Sequence, residues 1–279
     1  MNVHRLRLGG RDVTLLHGPA GWGECSPLPG YPCPERAAWA AAEEAACGGR
    51  PRAVRDEVPV NALVGDGPLP APGSLAGFAC VKVKVGRRDP REDLDRLGAV
   101  RDAVDASTRL RVDANGAWDV HTAVDALTRM AAYDLELAEQ PVASLDDLAR
   151  VRARVPVAIA ADECVRDVDD ARRVRRLDAA DAVVLKVQPL GGVRNALRVA
   201  EAAGVPAIVT SMMETSIGIA AGVALACALP ELPYACGLAT ALLLDEDVVA
   251  DRLVPHDGVI RPRPLAPDPD LLARYEVTR

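Results

Sequence analysis

The stretch that decides the fold runs from residue 109 to residue 162 and reads RLRVDANGAWDVHTAVDALTRMAAYDLELAEQPVASLDDLARVRARVPVAIAAD. Its hydrophobic period changes back and forth between that of a strand and that of a helix. The strand-like runs are Arg109–Asp113, Leu135–Glu139 and 157–162, and the amphipathic stretches between them are 120–132 and 145–154. Strands that alternate with helices in this way predict a parallel sheet whose crossover connections are helical.

The same alternation extends in both directions along the chain. Further strand-like runs lie at 58–62, 79–85, 182–187, 207–211 and 232–237, and further helical stretches lie at 91–104, Val168–Leu177 and Val193–Ala203. Asp89-Pro90 and Ser144 are predicted helix starts. Eight strands at this spacing predict an α/β fold, a TIM barrel of the (β/α)7β type. An open doubly wound sheet is the alternative, but no G-x-G-x-x-G motif follows a strand.

The chain is predicted to divide into this barrel and a small α+β capping domain. Residues 1–57, with a Gly/Pro-rich loop and an Ala-rich helix at 34–46, form the N-terminal part of the cap. Residues 58–250 form the catalytic barrel, and the Pro-rich segment 251–279 returns to the cap. The connection at 65–77 is rich in Pro and Gly, so we expect it to lack a full helix.

Composition excludes several classes of function. The net charge of −7 and the pI near 5.2 argue against binding to nucleic acids or to anionic membranes. The seven cysteines are an odd number without a C-x-x-C pair, which favours reduced thiols over a disulfide framework. The longest apolar run, 217–229, is too short to span a bilayer, and the N-terminus lacks the apolar core of a signal peptide. We therefore expect a cytoplasmic protein that acts on a small molecule, with the oligomeric state left open and a monomer as one alternative.

Lysine is rare in this chain, since only three of its 33 Lys and Arg residues are lysines. Lys82, Lys84 and Lys186 all lie in apolar strand-like runs, which makes chance retention on the surface the weaker explanation. Arg stays protonated in a protein, whereas Lys can lose its proton. The three positions are therefore candidates for proton transfer.

The placement of the lysines puts them on two sides of the predicted barrel. Lys82 and Lys84 lie two residues apart on the second strand, so both side chains point to one face, toward the interior. Two ammonium groups this close are expected to lower each other's pKa, which favours a neutral amine base. Lys186 lies on the sixth strand, opposite the second in an eight-stranded barrel.

Three acidic residues end the third, fourth and fifth strands. Asp113, Glu139 and Asp162 stand one strand-helix unit apart, at the strand ends where barrel enzymes carry their catalytic groups. One such acid alone is more often a helix cap or an ion-pair partner. Three carboxylates that converge repel each other unless a cation binds them, and oxygen ligands alone suit Mg²⁺ or Mn²⁺.

These residue types point to proton abstraction next to a carboxylate group. The step makes an enediolate with two negative oxygens, which a divalent metal and a fixed cation stabilise. Lys84 is the candidate base, Lys186 the cation on the opposite wall and Lys82 an auxiliary group that tunes Lys84. A buried ion pair with a carboxylate is the alternative for each lysine.

The motifs that carry these residues resemble those of the enolase superfamily, in its muconate-lactonizing subgroup. The matching pieces are Lys82-Val-Lys84, Asp113-Ala-Asn115, Glu139-Gln140-Pro141, Asp162-Glu163 and Val-Leu-Lys186-Val, in the order of the family. Gly21-Trp22-Gly23-Glu24 with Pro27-Leu28-Pro29-Gly30-Tyr31 is similar to the mobile cap loop of the family. The resemblance implies Mg²⁺ on the carboxylate trio.

Within that subgroup the chain most resembles the o-succinylbenzoate synthase family. Arg111, Gly30-Tyr31 and the stretch 210–218 carry this resemblance. It implies a hydro-lyase of menaquinone biosynthesis that dehydrates 2-succinyl-6-hydroxy-2,4-cyclohexadiene-1-carboxylate, with Lys84 acting on one face as base and then as acid.

The resemblance also implies supporting residues. Those expected beside the metal ligands are Asn115, Glu163 and Arg111, and those expected to bind substrate are Ser211, Met213, Gly218 and Leu28. Strand capping is the alternative for Asn115 and Glu163, and close helix packing is the alternative for Gly218. Cap contacts are the least transferable part, because the cap is shorter than in most relatives.

Two other functions are weighed against this one. Racemisation of an N-acylamino acid, such as an N-succinylamino acid, needs a lysine on each face, which this chain has. A dipeptide epimerase is disfavoured because Gly237-Leu-Ala-Thr240 stands where those enzymes carry Asp-x-Asp. A catalytically inactive scaffold is disfavoured because no member of the lysine and carboxylate set is missing.

Overall fold

The computed structural model describes residues 1–71, 73–87 and 89–277. The chain begins with an antiparallel three-stranded sheet and one helix, which form the cap. They are β1 (Asn2–Leu8), β2 (Arg11–Gly18), β3 (Gly21–Cys25) and α1 (Glu35–Glu43), the last continuing as a π-helical turn at Glu44–Gly48. A Cβ atom on Gly23 would lie 2.0 Å from the carbonyl oxygen of Ala42, so only glycine lets α1 pack this closely on β3.

A parallel sheet of seven strands follows the cap, and its spatial order is the order of the chain. The strands are β5 (Ala62–Val64), β6 (Cys80–Lys84), β7 (Arg109–Asp113), β8 (Leu135–Glu139), β9 (Ile159–Ala161), β10 (Ala182–Leu185) and β11 (Ala207–Val209). Asp113 is in register with Lys84 on one side and with Glu139 on the other. The strand ends predicted to carry the site are therefore neighbours.

The curled sheet closes through the segment that precedes residue 238. Cys236 pairs with Val60 and Gly237 with Thr210 as isolated parallel bridges. The predicted eighth strand at 232–237 is thus reduced to two bridges, because Pro230 and Pro233 have no N–H to donate to a ladder. The architecture agrees with a (β/α)7β barrel and a capping domain.

The first predicted strand, 58–62, is wrong in its placement. The parallel strand next to β6 is β5, whereas β4 (Val58–Pro59) pairs antiparallel with β12 (Val259–Ile260). Pro59 cannot donate to a ladder, which suits a short edge pair. The C-terminal segment also reaches the cap, since Val277 N donates to Arg5 O at 2.9 Å. The three-part division of the chain stays a prediction.

Helices cover the outside of the sheet. They are α2 (Pro90–Ala103), α3 (Val120–Met130), α4 (Leu145–Arg152), α5 (Val168–Leu177), α6 (Val193–Ala203) and α7 (Ser216–Ala228), with α8 (Pro269–Tyr275) in the C-terminal segment. The predicted starts are confirmed, since Asp89 accepts from Arg91 N and Ser144 from Asp147 N. In 65–77, apart from Pro72, the structure has turns and no helix, as expected. Across the described ranges no helix is long and apolar enough to cross a membrane.

Candidate active site

The C-terminal ends of the barrel strands surround one cavity of about 570 Å³. The predicted catalytic and metal-binding side chains all line it. They are Lys82, Lys84, Asp113, Glu139, Asp162 and Lys186. Residues 26–34, which connect β3 to α1 and which we call the covering segment, close the cavity from the cap through residues 28–32. The structure thus brings the six charged residues together beneath the cap.

Lys82 lies between two of the carboxylates. Its Nζ is 2.8 Å from Glu139 Oε1 and 2.9 Å from Asp113 Oδ2. Burial alone would lower the pKa of Lys82, but the charges of Asp113 and Glu139 hold it above its ordinary value. The expected lowering by a second ammonium group is therefore wrong for Lys82. Burial would raise the pKa of Asp113, but Lys82 and Lys84 hold it well below its ordinary value.

Lys84 is the ammonium group most open to the cavity. Its side chain is 22% accessible, against 9% for Lys82 and 9% for Lys186. Its Nζ donates to Asp113 Oδ2 and to Asn115 Oδ1, each at 2.6 Å. Asn115 donates in turn to Glu163 Oε1 at 2.8 Å. Asn115 and Glu163 therefore lie beside the carboxylate trio and orient the candidate base.

Asp162 has two partners that approach from different elements. Lys186 Nζ donates to both of its oxygens, and Tyr31 Oη donates to Oδ1 at 3.0 Å. The Tyr31 ring also lies over the ammonium group of Lys186. Burial raises the pKa of Asp162 against the charge of Lys186. Burial opposes protonation of Lys186, yet Asp162 and Glu139 hold its pKa above the ordinary value.

Of the six described non-glycine residues with positive φ, two line the cavity and a third follows a strand that ends there. Asn115, Gln140 and Met213 have positive φ angles of 47°, 40° and 63°, which cost non-glycine residues about 1 kcal/mol or more each. Gln140 shows what holds such a conformation, since its Oε1 accepts from Asp162 N and its Nε2 donates to Val142 O, both at 2.7 Å. This side chain fixes the end of β9 and with it the carboxylate of Asp162.

The three carboxylates form a donor set whose chemistry can be compared with that of a metal site. Among the described residues no three His, Cys, Asp or Glu side chains form a ready ligand cluster, and ammonium groups lie on the carboxylates instead. The donor set itself fits a hard dication, because Asp113, Glu139 and Asp162 offer only oxygen and face one cavity. Burial, with the charge of Asp113, raises the pKa of Glu139 to about 7, against the opposing charge of Lys82.

The contacts of Arg111 correct its predicted place beside the metal ligands. It precedes Asp113 by two residues on β7 and fills the barrel interior, where it is fully buried. Its Nε donates to Glu136 Oε2 at 2.6 Å and its Nη1 to Ala235 O at 2.8 Å, and its guanidinium lies over the ring of Tyr234. Arg111 therefore plugs the barrel below the site.

The predicted substrate-binding residues separate into two groups. Leu28, Ser211 and Met213 line the cavity. Gly218 is corrected, because it does not contribute to the wall described here. Its N–H donates to Glu24 Oε2 at 2.9 Å, and a Cβ atom there would lie 2.5 Å from the Cβ of Glu214, so close packing explains it.

Sequence reasoning missed several polar side chains of the cavity wall. Asn61, Arg87 and Thr240 were missed, whereas Tyr31 and Thr210 were placed in resemblance motifs without a role of their own. Thr210 Oγ1 is buried and has no hydrogen-bond partner within the described part of the chain. A polar residue within an apolar run, as at Asn61, was the one available signal.

Comparison with known proteins adds the family. The model for the enolase C-terminal domain-like family matches residues 73–267, and that for the enolase N-terminal domain-like family matches residues 5–46. The o-succinylbenzoate synthase of Thermobifida fusca is 53% identical over 273 residues, 96% of this chain and 86% of the relative. That of Mycolicibacterium smegmatis is 45% identical, over 94% of this chain and 83% of the relative.

The chain belongs to the enolase superfamily, in the family of these o-succinylbenzoate synthases. Solved structures of the enolase superfamily show the same fold. The muconate cycloisomerase of Pseudomonas fluorescens has a TM-score of 0.84 at 24% identity, covering 99% of this chain and 97% of its own. The N-succinyl Arg/Lys racemase of Bacillus cereus has a TM-score of 0.81 at 21% identity, covering 99% and 96%. Enzymes of the superfamily are metal-dependent, which agrees with the donor set.

Proposed function

We propose that the protein is an o-succinylbenzoate synthase, a Mg²⁺-dependent hydro-lyase of menaquinone biosynthesis. Its substrate is 2-succinyl-6-hydroxy-2,4-cyclohexadiene-1-carboxylate and its product is o-succinylbenzoate. Identities of 43% to 53% to synthases from several organisms support this substrate. The observation that carries the chemistry is Lys84, an accessible amine fixed by Asp113 and Asn115 at the floor of a cavity that Lys186 also lines.

In the proposed reaction a single nitrogen atom, Nζ of Lys84, first takes a proton from the substrate and then gives it back. Lys84 enters the step as the neutral amine, removes the proton next to the substrate carboxylate and then donates it to the leaving hydroxyl, which departs as water. Because the same Nζ serves both transfers, the elimination is syn. Asn115 accepts a hydrogen bond from Nζ and holds it in place between the transfers.

The charge that develops on the substrate needs cationic partners. Asp113, Glu139 and Asp162 would hold Mg²⁺, with Mn²⁺ as a replacement, and the ion supplies Lewis-acid stabilisation of the two enediolate oxygens. Lys186 adds a fixed positive charge, and the Tyr31 ring excludes water from it. Leu28, Met213 and Ser211 line the space for the rest of the substrate.

Purified protein with Mg²⁺ tests the proposal directly. The protein is expected to convert the cyclohexadiene carboxylate to its aromatic product, followed by the change in ultraviolet absorbance. EDTA should abolish turnover and added Mg²⁺ should restore it. Turnover that persists in EDTA would contradict the metal site, and a purified protein without any dehydration would contradict the substrate.

N-succinylamino acid racemisation is the second candidate, and the presence of lysines on two walls favours it. Incubation of an N-succinylamino acid in D₂O, followed by proton NMR, separates the two activities. The synthase proposal expects dehydration to be the faster reaction. Exchange of the α-proton without dehydration would put the racemase first.

We also infer that the enzyme works in the cytoplasm. All seven cysteines lie in described residues and are unpaired, as a reducing compartment predicts. Cell fractionation tests this inference. Membrane, periplasmic and cytosolic fractions are probed with an antibody against the protein, which should be found in the cytosol.

A further inference from the structure

The covering segment starts from a residue whose polar groups are all held. Ser26 N donates to Gln188 Oε1 at 2.8 Å, and Ser26 Oγ donates to Glu24 Oε1 at 2.6 Å. The carbonyl oxygen of Ser26 accepts from Arg11 Nη2 at 3.0 Å. Ser26 is fully buried. The segment therefore leaves the cap from one fixed point.

Gln188 supplies the contact to Ser26 from the barrel. It stands two residues after Lys186 and is 3% exposed. Its side chain both accepts from Ser26 N and donates through Nε2 to Ser26 Oγ at 3.2 Å. A tight turn fixes its backbone, since Gly191 N donates to Gln188 O at 3.1 Å. The element that carries Lys186 thus contacts the start of the covering segment.

Tyr31, further along the covering segment, contacts Lys186 itself. Tyr31 lies over Lys186 and donates to Asp162. Between the two ends, Tyr31 N donates to Leu28 O at 3.1 Å and Cys33 N donates to Tyr31 O at 2.7 Å. These bonds make residues 28–33 a compact turn, which Pro27 alone joins to Ser26.

We propose that Gln188 is a positioning residue, which fixes the covering segment in its closed position through Ser26 and so seats Tyr31 over Lys186. The effect on turnover rests on the proposed function, whereas the effect on the segment does not. The neutral amide suits the place, because it offers a donor and an acceptor beside the buried acids Glu24 and Glu214. A carboxylate there would lack the donor and place a third buried acid beside Glu24 and Glu214.

Hydrogen–deuterium exchange of the full chain tests the contact without reference to activity. Gln188→Met keeps the size of the side chain and removes its two hydrogen bonds with Ser26 and the long one to Glu214. We expect peptides that cover 26–34 to exchange about tenfold faster, the equilibrium effect of losing roughly 1.4 kcal/mol of local stability. Peptides of α7 should exchange as in the wild type. Unchanged exchange at 26–34 would overturn the proposal.

Asn195→Leu is the matched control. Asn195 lies just beyond the same turn, donates to Leu190 O at 2.6 Å and accepts from Arg198, so its loss removes amide hydrogen bonds of the same kind. This variant is expected to leave both the exchange at 26–34 and the activity unchanged. Faster exchange at 26–34 in the control as well would assign the effect to the turn and overturn the role of Gln188.

Kinetics show whether the position of the segment matters to catalysis. For Gln188→Met we expect KM to rise about tenfold and kcat to change less than about threefold, because the covering segment acts on binding. Gln188→Asn keeps the amide on a shorter side chain and should recover part of the loss. A faster-exchanging segment with unchanged KM would overturn the positioning role. A wild type without synthase activity would contradict the proposed function and leave the exchange result to decide.

A second variant covers the case in which Gln188→Met does not fold. Ser26→Ala removes the hydroxyl contacts to Glu24 and from Gln188, and it leaves the bond from Ser26 N to Gln188 in place. We expect exchange at 26–34 to rise about fivefold, roughly the effect of one buried hydrogen bond. Exchange equal to that of the wild type in this variant would overturn the proposal.

Discussion

The ring of Tyr31 lies across the ammonium group of Lys186, with its centroid 4.7 Å from Nζ. The two residues are 155 positions apart in the chain and come from the cap and from the barrel. A ring in this position attracts the cation and keeps water away from it. The hydroxyl of the same side chain makes a separate contact, to Asp162.

Substitutions of Tyr31 separate these two contacts. Tyr31→Phe keeps the ring over Lys186, so we expect kcat/KM to fall less than about fivefold, whereas Tyr31→Leu should lower it about tenfold or more. Steady-state kinetics measure both, with Tyr275→Leu as a distant control. Equal losses in the Phe and Leu variants would show that the hydroxyl, not the ring, is what matters.

Lys84→Arg tests the assigned base. Arg keeps the positive charge beside Asp113 but cannot be deprotonated, so kcat is expected to fall by about a thousandfold or more. The rate of α-proton exchange from substrate analogues in D₂O should fall with it. Near-wild-type turnover in this variant would remove Lys84 from the role.

Lys82→Met tests the ion pairs rather than the chemistry. Loss of this ammonium group leaves Asp113 and Glu139 buried without their shared partner, which should destabilise the metal-free protein by about 3–5 kcal/mol. Urea unfolding measures this change, and added Mg²⁺ is expected to restore part of it. A variant as stable as the wild type without metal would contradict the role of Lys82 as the bridge.

Glu24 is predicted to make stability depend on pH. Burial raises its pKa to about 7 from an ordinary value of 4.5, against the hydrogen bonds from Ser26 and Thr215, and the charge of Glu214 adds to the rise. Because the folded protein keeps this proton to a higher pH than the unfolded chain, the stabilisation is complete below about pH 4.5 and is lost as the pH rises to about 7.

Glu24→Gln is the matched variant, since it resembles the protonated acid at every pH. The free energy of unfolding of the wild type, minus that of the variant, should fall by about 3 kcal/mol between pH 4.5 and pH 7. Chemical denaturation at several pH values gives this difference. A difference that does not change with pH would contradict the prediction.

The parts of the fold that follow from local pattern were predictable. Arg109–Asp113 and Leu135–Glu139 were placed to the residue, because charged and apolar residues alternate in each of them with the period of a strand. The edges of the barrel were not predictable in this way. The pairing of Val58–Pro59 with Val259–Ile260 joins segments 200 residues apart, and no local period indicates such a partner.

The residues of the candidate site also separate into those that the local sequence predicts and those that it does not. The six charged residues were found because they recur at strand ends, which is a property of the local sequence. Gln188 was missed, and Tyr31 and Thr210 were given no role although they lie in motifs that carried the resemblance. Each acts through a contact or a position in the cavity wall that the local pattern does not encode. Arg111 is the opposite case. Its position two residues before a predicted metal ligand suggested a place in the site, but its long side chain carries the guanidinium to Glu136.

Because all three lysines lie in the cavity, chemical modification of lysine side chains in this protein takes place only at the active site. A lysine-directed ester has no lysine to modify on the outer surface, since the only lysine side chains face the active-site cavity. Acylation at lysine, read separately from acylation of the exposed Met1 amine, therefore reports on the active-site cavity. Its uptake counts the molecules whose cavity is open, and protection by a bound ligand reports occupancy without any turnover.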